Sequence, residues 1–405
     1  MIYHPPSGSR DLLPLDVAQK HWIEERLEQV FQGWGYHRII TSTVERLDTL
    51  MAGGAIEPST VIQLQNAGGQ SLGLRPELTA SIARAAVTRM AEVCYPQRLS
   101  YVANVFRHDA KGSQGGQQEY YQAGVELLGT TGVMADTEVV FLLLDCLNNL
   151  QLTGTDVLLG DAGLTHSLLE VFPVEMQATV RDAIARLDRV QLETLSLSPE
   201  LLERALRLMD LRGQPKDVLQ RVSQLDLSPQ QQAIVHGLKT LIEILPAATE
   251  APKVTLDLSL IQPFDYYTGI IFKVVADTPQ GRQVVGQGGR YDNLLGVFHP
   301  QHQSYPGIGF MLNVESLHQA LLPTGHLPDR TPPSDWLVVA KTPAAAAAAF
   351  TYAQRIREQG SQVRVELHLD PEATPDTIRE LAQTRQIPHI AWVAEDGTPQ
   401  VETVN

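Results

Sequence analysis

An acid and a pair of tyrosines stand just ahead of a strand-like apolar run. Asp265-Tyr266-Tyr267-Thr268-Gly269 opens into Ile270-Ile271-Phe272. A second polar cluster, Gly288-Gly289-Arg290-Tyr291-Asp292, follows, and Gly307-Ile308-Gly309-Phe310 leads into a helix-like run from Met311 to Leu321. Carboxylates and phenols supply the acceptors and donors that orient a polar ligand. In an extended segment neighbouring side chains face opposite ways, so only one of Tyr266 and Tyr267 is expected to enter a given pocket. Taken alone, such a run reads as a half-buried strand with tyrosines at its edge. Two stretches upstream change that reading: Leu74-Arg75-Pro76-Glu77-Leu78-Thr79-Ala80, and Phe106-Arg107 through Gln122-Ala123-Gly124-Val125-Glu126. Glu77 and Glu126 sit in apolar or strand-like surroundings, where a carboxylate is more often a ligand group than a solvated surface acid.

The elements that must position these residues follow from periodicity. Val17, Ile23, Leu27, Val30 and Phe31 recur near helical spacing, which predicts a helix over 16–33 that Gly33 and Gly35 stop. A strand is expected over 37–44. A hairpin is expected from 61–64 and 71–74 around the turn residues Asn66, Gly68 and Gly69. A helix should start at Pro76, and strands should run over 99–106 and 119–128. Together these predict an α+β fold, an antiparallel sheet with helices on one side. Residues 165 to about 250 read instead as a helical insertion, with Ser198-Pro199 and Ser228-Pro229 as helix starts and Ser228 with Gln231 as a capping box. Residues 1–322 form the large domain on this reading. The proline-rich stretch 323–334 is a linker, and 335–405 alternate strand and helix as a small α/β domain.

The 405 residues are ample for two or three domains, and the 43% apolar and 19% charged content is that of a globular protein. The formal charge of −15 argues against a nucleic-acid partner, which would need clustered Lys and Arg. The last domain carries six bases against ten acids. Cys94 and Cys146 both read as small buried hydrophobes in a reducing compartment, and no Cys/His spacing suggests a metal. His4, Arg10 and Asp11 interrupt any signal-peptide core, and no apolar run is long enough to span a bilayer, so a cytoplasmic location is expected.

The ordered motifs carry a family resemblance from about residue 5 to about 320. Asp265-Tyr266-Tyr267-Thr268-Gly269 and Gly288-Gly289-Arg290-Tyr291-Asp292 resemble the two histidine-specific signatures of histidyl-tRNA synthetases. Gly8-Ser9-Arg10-Asp11-Leu12-Leu13-Pro14 and Gly35-Tyr36-His37-Arg38-Ile39-Ile40-Thr41 resemble that family's opening and its dimer-forming first motif. The resemblance implies a class II synthetase fold with a histidine pocket made by Glu77, Thr79, Arg107, Gln122, Glu126, Tyr266 and Tyr267. In it, a carboxylate and a tyrosine hydroxyl would satisfy the two imidazole nitrogens, with Glu77 and Gln122 on the amino group.

Activation of an amino acid brings a carboxylate against the α-phosphate of ATP, so the protein must aim cations at growing negative charge. Arg107 is kept, but Gln118, Gln262 and Ser316 stand where the synthetases place arginine, and the 108–119 loop has no arginine at all. Each lost donor of this kind costs on the order of 10²–10³ in rate. A synthetase-like chain with this pattern resembles the regulatory subunits of ATP phosphoribosyltransferase. That resemblance implies no catalysis and no cofactor of its own, no tRNA, and a homodimer core within a hetero-oligomer, expected as a hetero-octamer. The partner would be a short catalytic subunit, with histidine as feedback effector. An active histidyl-tRNA synthetase and a free-standing histidine sensor are the alternatives.

Overall fold

The computed structural model describes residues 5–54, 56–66, 68–108, 116–245, 252–260, 266–360 and 363–404. The chain divides into two compact units, 1–328 and 329–405.

The first unit is built on a nine-stranded sheet. Its order is His37–Arg38, Gln97–Phe106, Glu119–Leu128, Gly307–Asn313, Gly281–Arg290, Ile270–Thr278, Thr155–Asp161, Lys253–Asp257 and Arg212–Gly213. The strands from Gln97–Phe106 to Thr155–Asp161 pair antiparallel, whereas His37–Arg38 with Gln97–Phe106 and Thr155–Asp161 with Lys253–Asp257 pair parallel. The fold is α+β, as the sequence pattern predicts.

Period-two alternation assigns the faces. Ala123, Val125 and Leu127 point into the main core with Phe272, Val274, Phe310 and Leu312. The helix Pro14–Gly33 adds Ile23, Leu27 and Phe31 at four-residue spacing, and Val133–Asn149 adds Val139, Leu142, Leu143 and Cys146. The opposite face is not bare. Leu99, Tyr101, Leu128 and Tyr291 are covered there by Leu78, Ile82, Ala86 and Leu295 from the helices Thr79–Thr88 and Leu294–Phe298. Helices therefore flank both faces of the sheet, and the expectation of one helical side is corrected.

Other local expectations are also refined. The strand expected over 37–44 divides into His37–Arg38 and Val44–Arg46; Ile39 N still donates to the Ser100 carbonyl at 2.9 Å, but Ile40 beyond it is 81% exposed. Val44–Arg46 instead joins the hairpin Gln63–Gln65 and Ser71–Leu74 in a three-stranded sheet. Cys146 is buried, but Cys94 is exposed, which corrects its reading as a core residue.

The insertion is helical from Ala162–Leu169 to Pro229–Ile244, apart from the strand Arg212–Gly213. Ser198 Oγ accepts from Leu201 N at 3.3 Å, and Ser228 and Gln231 exchange side-chain and backbone bonds at 2.9 and 3.3 Å, the expected capping box. Leu192, Ala205, Leu208, Val218, Leu238 and Leu241 join the main core, so the insertion shares its hydrophobic interior. Within the expected linker, Leu327 is buried and Gln19 Nε2 donates to the Pro328 carbonyl at 2.7 Å, so 323–328 packs with the first unit.

The second unit is a four-stranded sheet of order Val365–Leu367, Trp336–Ala340, His389–Val393 and Pro399–Thr403. The first three strands are parallel and the last is antiparallel. Its helices Ala346–Glu358 and Pro375–Thr384 cover opposite faces. Val338 packs with Ala349, Ala353 and Ile356, whereas Leu337 and Val339 pack with Ile378 and Ala382. The strand Pro399–Thr403 was not anticipated from the sequence.

One buried ion pair fixes the strand Gly281–Arg290 to the helix Val133–Asn149. Arg290 sits 2.7 Å from Asp136 and 3.0 Å from Asp292, and its side chain is 7% exposed. Removing Asp136 leaves the buried Arg290 charge with the more exposed Asp292 alone. Asp136→Ala is expected to cost about 3 kcal/mol, read as a lower denaturant midpoint at unchanged slope. An unaltered midpoint would assign the anchoring to apolar packing alone.

Candidate active-site-like pocket

The pocket lies on the sheet face that carries the helix Thr79–Thr88. On the strand Glu119–Leu128, Gln122, Gly124 and Glu126 share that face. Three glycines clear its floor. A Cβ at Gly309 would lie 1.9 Å from Glu126 Oε2, one at Gly124 would lie 2.6 Å from the Tyr101 hydroxyl, and one at Gly289 would lie 2.8 Å from the Tyr267 ring. Only glycine allows these approaches.

Glu126 is 1% exposed. Its Oε1 accepts from Thr79 Oγ1 at 2.7 Å, and its Oε2 is bonded by the Tyr291 hydroxyl. Burial pushes its pKa up to about 8, against the two hydrogen bonds, which favour the ionised form. In the unliganded chain at neutral pH the group is therefore mostly a neutral acid, not the carboxylate expected from the sequence. Glu77 caps the helix Thr79–Thr88: its Oε2 accepts from Thr79 N at 2.6 Å and its Oε1 from Ala80 N at 2.9 Å. Burial raises its pKa too, opposed by those bonds and by Arg107. Arg107 donates to the Pro76 carbonyl at 2.6 Å, and burial lowers its pKa.

All seven residues assigned to the pocket from the sequence, Glu77, Thr79, Arg107, Gln122, Glu126, Tyr266 and Tyr267, line one cavity. Tyr266 and Tyr267 both do so, with ring centroids 4.6 Å apart. This corrects the expectation that only one could enter. Tyr266 lies in a turn and the strand begins only at Ile270, so opposite-face alternation does not apply. Sequence reasoning assigned no role to Tyr101 or Tyr291, which also line the cavity. Gly124, a glycine inside a strand and register partner of Tyr101, was the signal available for the first. Free volume is about 30 Å³, enough for a water or two, so a ligand the size of an amino acid requires side chains to move.

Two of the three positions that lack arginine fall on described residues. Gln118 and Ser316 are not among the cavity's lining residues, and Gln262 lies outside the described residues, as do 109–115 of the loop. Gln118 is tied through its backbone to Gly8 and Arg107 at 2.8 and 2.9 Å. Ser316 N donates to Asn313 Oδ1 at 2.8 Å in the first turn of Val314–Leu321. Among the described residues lining the cavity, Arg107 is the one lysine or arginine, and no group of side chains suited to a metal ion is found among the described residues. No helix among the described residues is long and apolar enough to cross a membrane.

The family profile described as Histidyl-tRNA synthetase matches residues 8–317. A protein of Nostoc sp. (strain PCC 7120 / SAG 25.82 / UTEX 2576) named ATP phosphoribosyltransferase regulatory subunit is 56% identical over 405 residues, covering 100% of both chains. One of the same name from Cyanothece sp. (strain PCC 7425 / ATCC 29141) is 57% identical over 406 residues, again 100% of both. The chain belongs to the ATP phosphoribosyltransferase regulatory subunit family. Its fold is close to that of a solved Bacillus halodurans structure described as an ATP phosphoribosyltransferase regulatory subunit/histidyl-tRNA synthetase. That match has a TM-score of 0.83 at 26% identity and covers 97% of this chain and 99% of that one. Histidyl-tRNA synthetase from Nostoc sp. PCC 7120, at 18% identity and TM-score 0.79 over 99% and 97% of the two chains, shares the fold.

The raised pKa of Glu126 makes a signed prediction. The folded chain holds this proton above the ordinary value of 4.5, so the associated stability is full below pH 4.5 and is lost as pH rises through about 8. Glu126→Gln keeps a hydrogen-bonding side chain and cannot ionise. The stability difference should shift toward the variant by up to ~1.4 kcal/mol per pH unit across that window, measured by urea unfolding at several pH values. Parallel profiles would mean that Glu126 titrates normally in the folded chain.

Proposed function

We propose that this chain is the non-catalytic regulatory subunit of ATP phosphoribosyltransferase in the first step of histidine biosynthesis. It activates a short catalytic subunit and binds the histidine that inhibits the assembly. The observation that carries the proposal is identity above one half, end to end, with relatives of that name. The pocket supports the ligand. Neutral Glu126 can donate to one imidazole nitrogen, or ionise against an imidazolium, while Tyr267 faces the same cavity. Arg107 is the available cation for a ligand carboxylate, and Glu77 and Gln122 are acceptors for an amino group.

The same inventory supports the absence of synthetase activity. One buried arginine is a poor substitute for the several cations that must meet two anions in activation. The second unit carries six bases against ten acids from 335 onward, a poor surface for a tRNA phosphate backbone. The proposed assembly is cytoplasmic, with a homodimer of this chain at the core of a hetero-octamer.

Mixed with a short catalytic subunit, the chain should co-elute in size-exclusion chromatography and raise transferase activity above that of the short subunit alone. Histidine should then inhibit through a coupling of about 1–3 kcal/mol. Separate elution with unchanged rates would leave a free-standing sensor. Histidine-dependent exchange of pyrophosphate into ATP should be absent, and detectable exchange would restore the synthetase reading. By calorimetry, Glu126→Ala should weaken histidine binding by roughly 1.5–3 kcal/mol. Equal affinity would move the effector out of this pocket.

A further inference from the structure

The second unit contains a half-open crevice of about 670 Å³ that no part of the regulatory reading uses. A cavity of this size accommodates a small-molecule ligand. It forms where the chain leaves the carboxyl ends of the parallel strands, lined by 339–343, 368–371 and the starts of the helices Ala346–Glu358 and Pro375–Thr384. Those helices cover opposite faces of the sheet, so the loops leading to them part. In open α/β sheets such a parting of loops beyond the strand ends is where ligands bind.

The lining has two chemistries. Phe350, Leu369, Ile378 and Trp392 form an apolar wall, with Phe350 59% and Leu369 80% exposed at residues that bound the crevice. The polar part holds Lys341, Arg379 and His368 against two acids, Asp370 and Glu402, and Asp370 accepts from Glu372 N at 3.0 Å. Glu402 is already satisfied, since it takes Arg379 at 2.6 and 3.3 Å and Trp392 Nε1 at 2.9 Å. Lys341 bonds the Gln400 amide oxygen at 2.9 Å, and its charge also acts on Asp396, whose pKa it helps to lower. The helix Ala346–Glu358 starts at the crevice as a continuation of the turn Pro343–Ala345 and has no acid in its own first turn, while Thr342 ahead of that turn donates its hydroxyl to Glu395 at 2.9 Å. His368, also in the lining, has a buried Nε2 without a hydrogen-bond partner among the described residues.

We propose that this crevice is a second ligand site, separate from the histidine pocket, that takes a small organic anion with a flat apolar body. The body lies against Phe350 and Trp392, and the anionic group meets Lys341 and the start of the helix Ala346–Glu358.

The full chain tests this with 8-anilinonaphthalene-1-sulfonate, an aromatic anion whose emission rises on binding, beside its uncharged analogue N-phenyl-1-naphthylamine. Saturable binding of the sulfonate is expected, tighter than that of the neutral probe. Lys341→Glu and Phe350→Glu should each weaken it by about tenfold or more, the scale of one lost charged or aromatic contact. Both replaced side chains are exposed, and unchanged thermal melts by circular dichroism would confirm intact folding. The proposal is overturned if binding is not saturable, if the neutral probe binds as tightly, or if either substitution leaves the affinity unchanged.

Discussion

The first unit depends on one buried acid. Glu126 sits near the end of a ten-residue strand, 1% exposed, with no cation bonded to it among the described residues. An isolated ionised carboxylate at such a place would cost several kcal/mol or more. The fold meets that cost by protonation and by two hydroxyls, one from Thr79 and one from Tyr291. Each constrains a separate part of the chain. Thr79 must begin its helix at the right height, which the Glu77 cap on Thr79 and Ala80 secures. Tyr291 must follow the strand Gly281–Arg290, whose end is clamped by Arg290 on Asp136 and Asp292. Gly309 must lack a side chain, because a Cβ there would overlap the carboxyl. The glycine pattern of the neighbouring strands is thus a steric consequence of placing one carboxyl and its tyrosines on a closely packed sheet face.

That arrangement also separates recognition from catalysis. Ligand recognition needs fixed donors and acceptors in a dry pocket, and those come from strands and a helix start that belong to the core. Catalysis of activation needs positive charge aimed at a transition state, and of the positions considered for it Arg107 lines the cavity while Gln118 and Ser316 do not. Such positions can lose their arginines without disturbing Glu126, Thr79 or Tyr291. On the proposed function, the fold keeps its amino-acid pocket without the charge that activation requires.

Much of this was legible in the sequence, for physical reasons. The seven pocket residues were assigned through the resemblance of their motifs to a known family, and spacing adds only that Gln122 and Glu126, four residues apart on one strand, share a face. Capping at Ser198 and Ser228 is local and was readable for that reason. What was not legible depends on long-range contact. Tyr101 faces the cavity only because its strand pairs with Gly124, and Tyr291 reaches Glu126 across 165 residues of sequence. The protonation of Glu126 is a property of complete burial, which no local pattern reports. The paired entry of Tyr266 and Tyr267 depends on a turn where strand alternation was assumed. Cys94 followed the average behaviour of its residue type, and its loop does not.

The small free volume of the pocket bears on how a site of this kind can regulate. A ligand shifts an equilibrium only by its difference in affinity between two states. A cavity of about 30 Å³ has little affinity for an amino acid until its walls part. The rings most directly concerned are Tyr266 and Tyr267, which precede the strand Ile270–Thr278, and Tyr291, which follows Gly281–Arg290. Those two strands are adjacent in the central sheet, so displacement of the aromatic cluster bears on the backbone at both. Opening also exposes Glu126 to a ligand's positive charge, which favours its ionised form and loosens its dependence on Tyr291 and Thr79. On the proposed function, effector binding and rearrangement of the central strands beside these tyrosines are then the same event, and the cost of opening is the quantity through which a partner subunit could sense histidine.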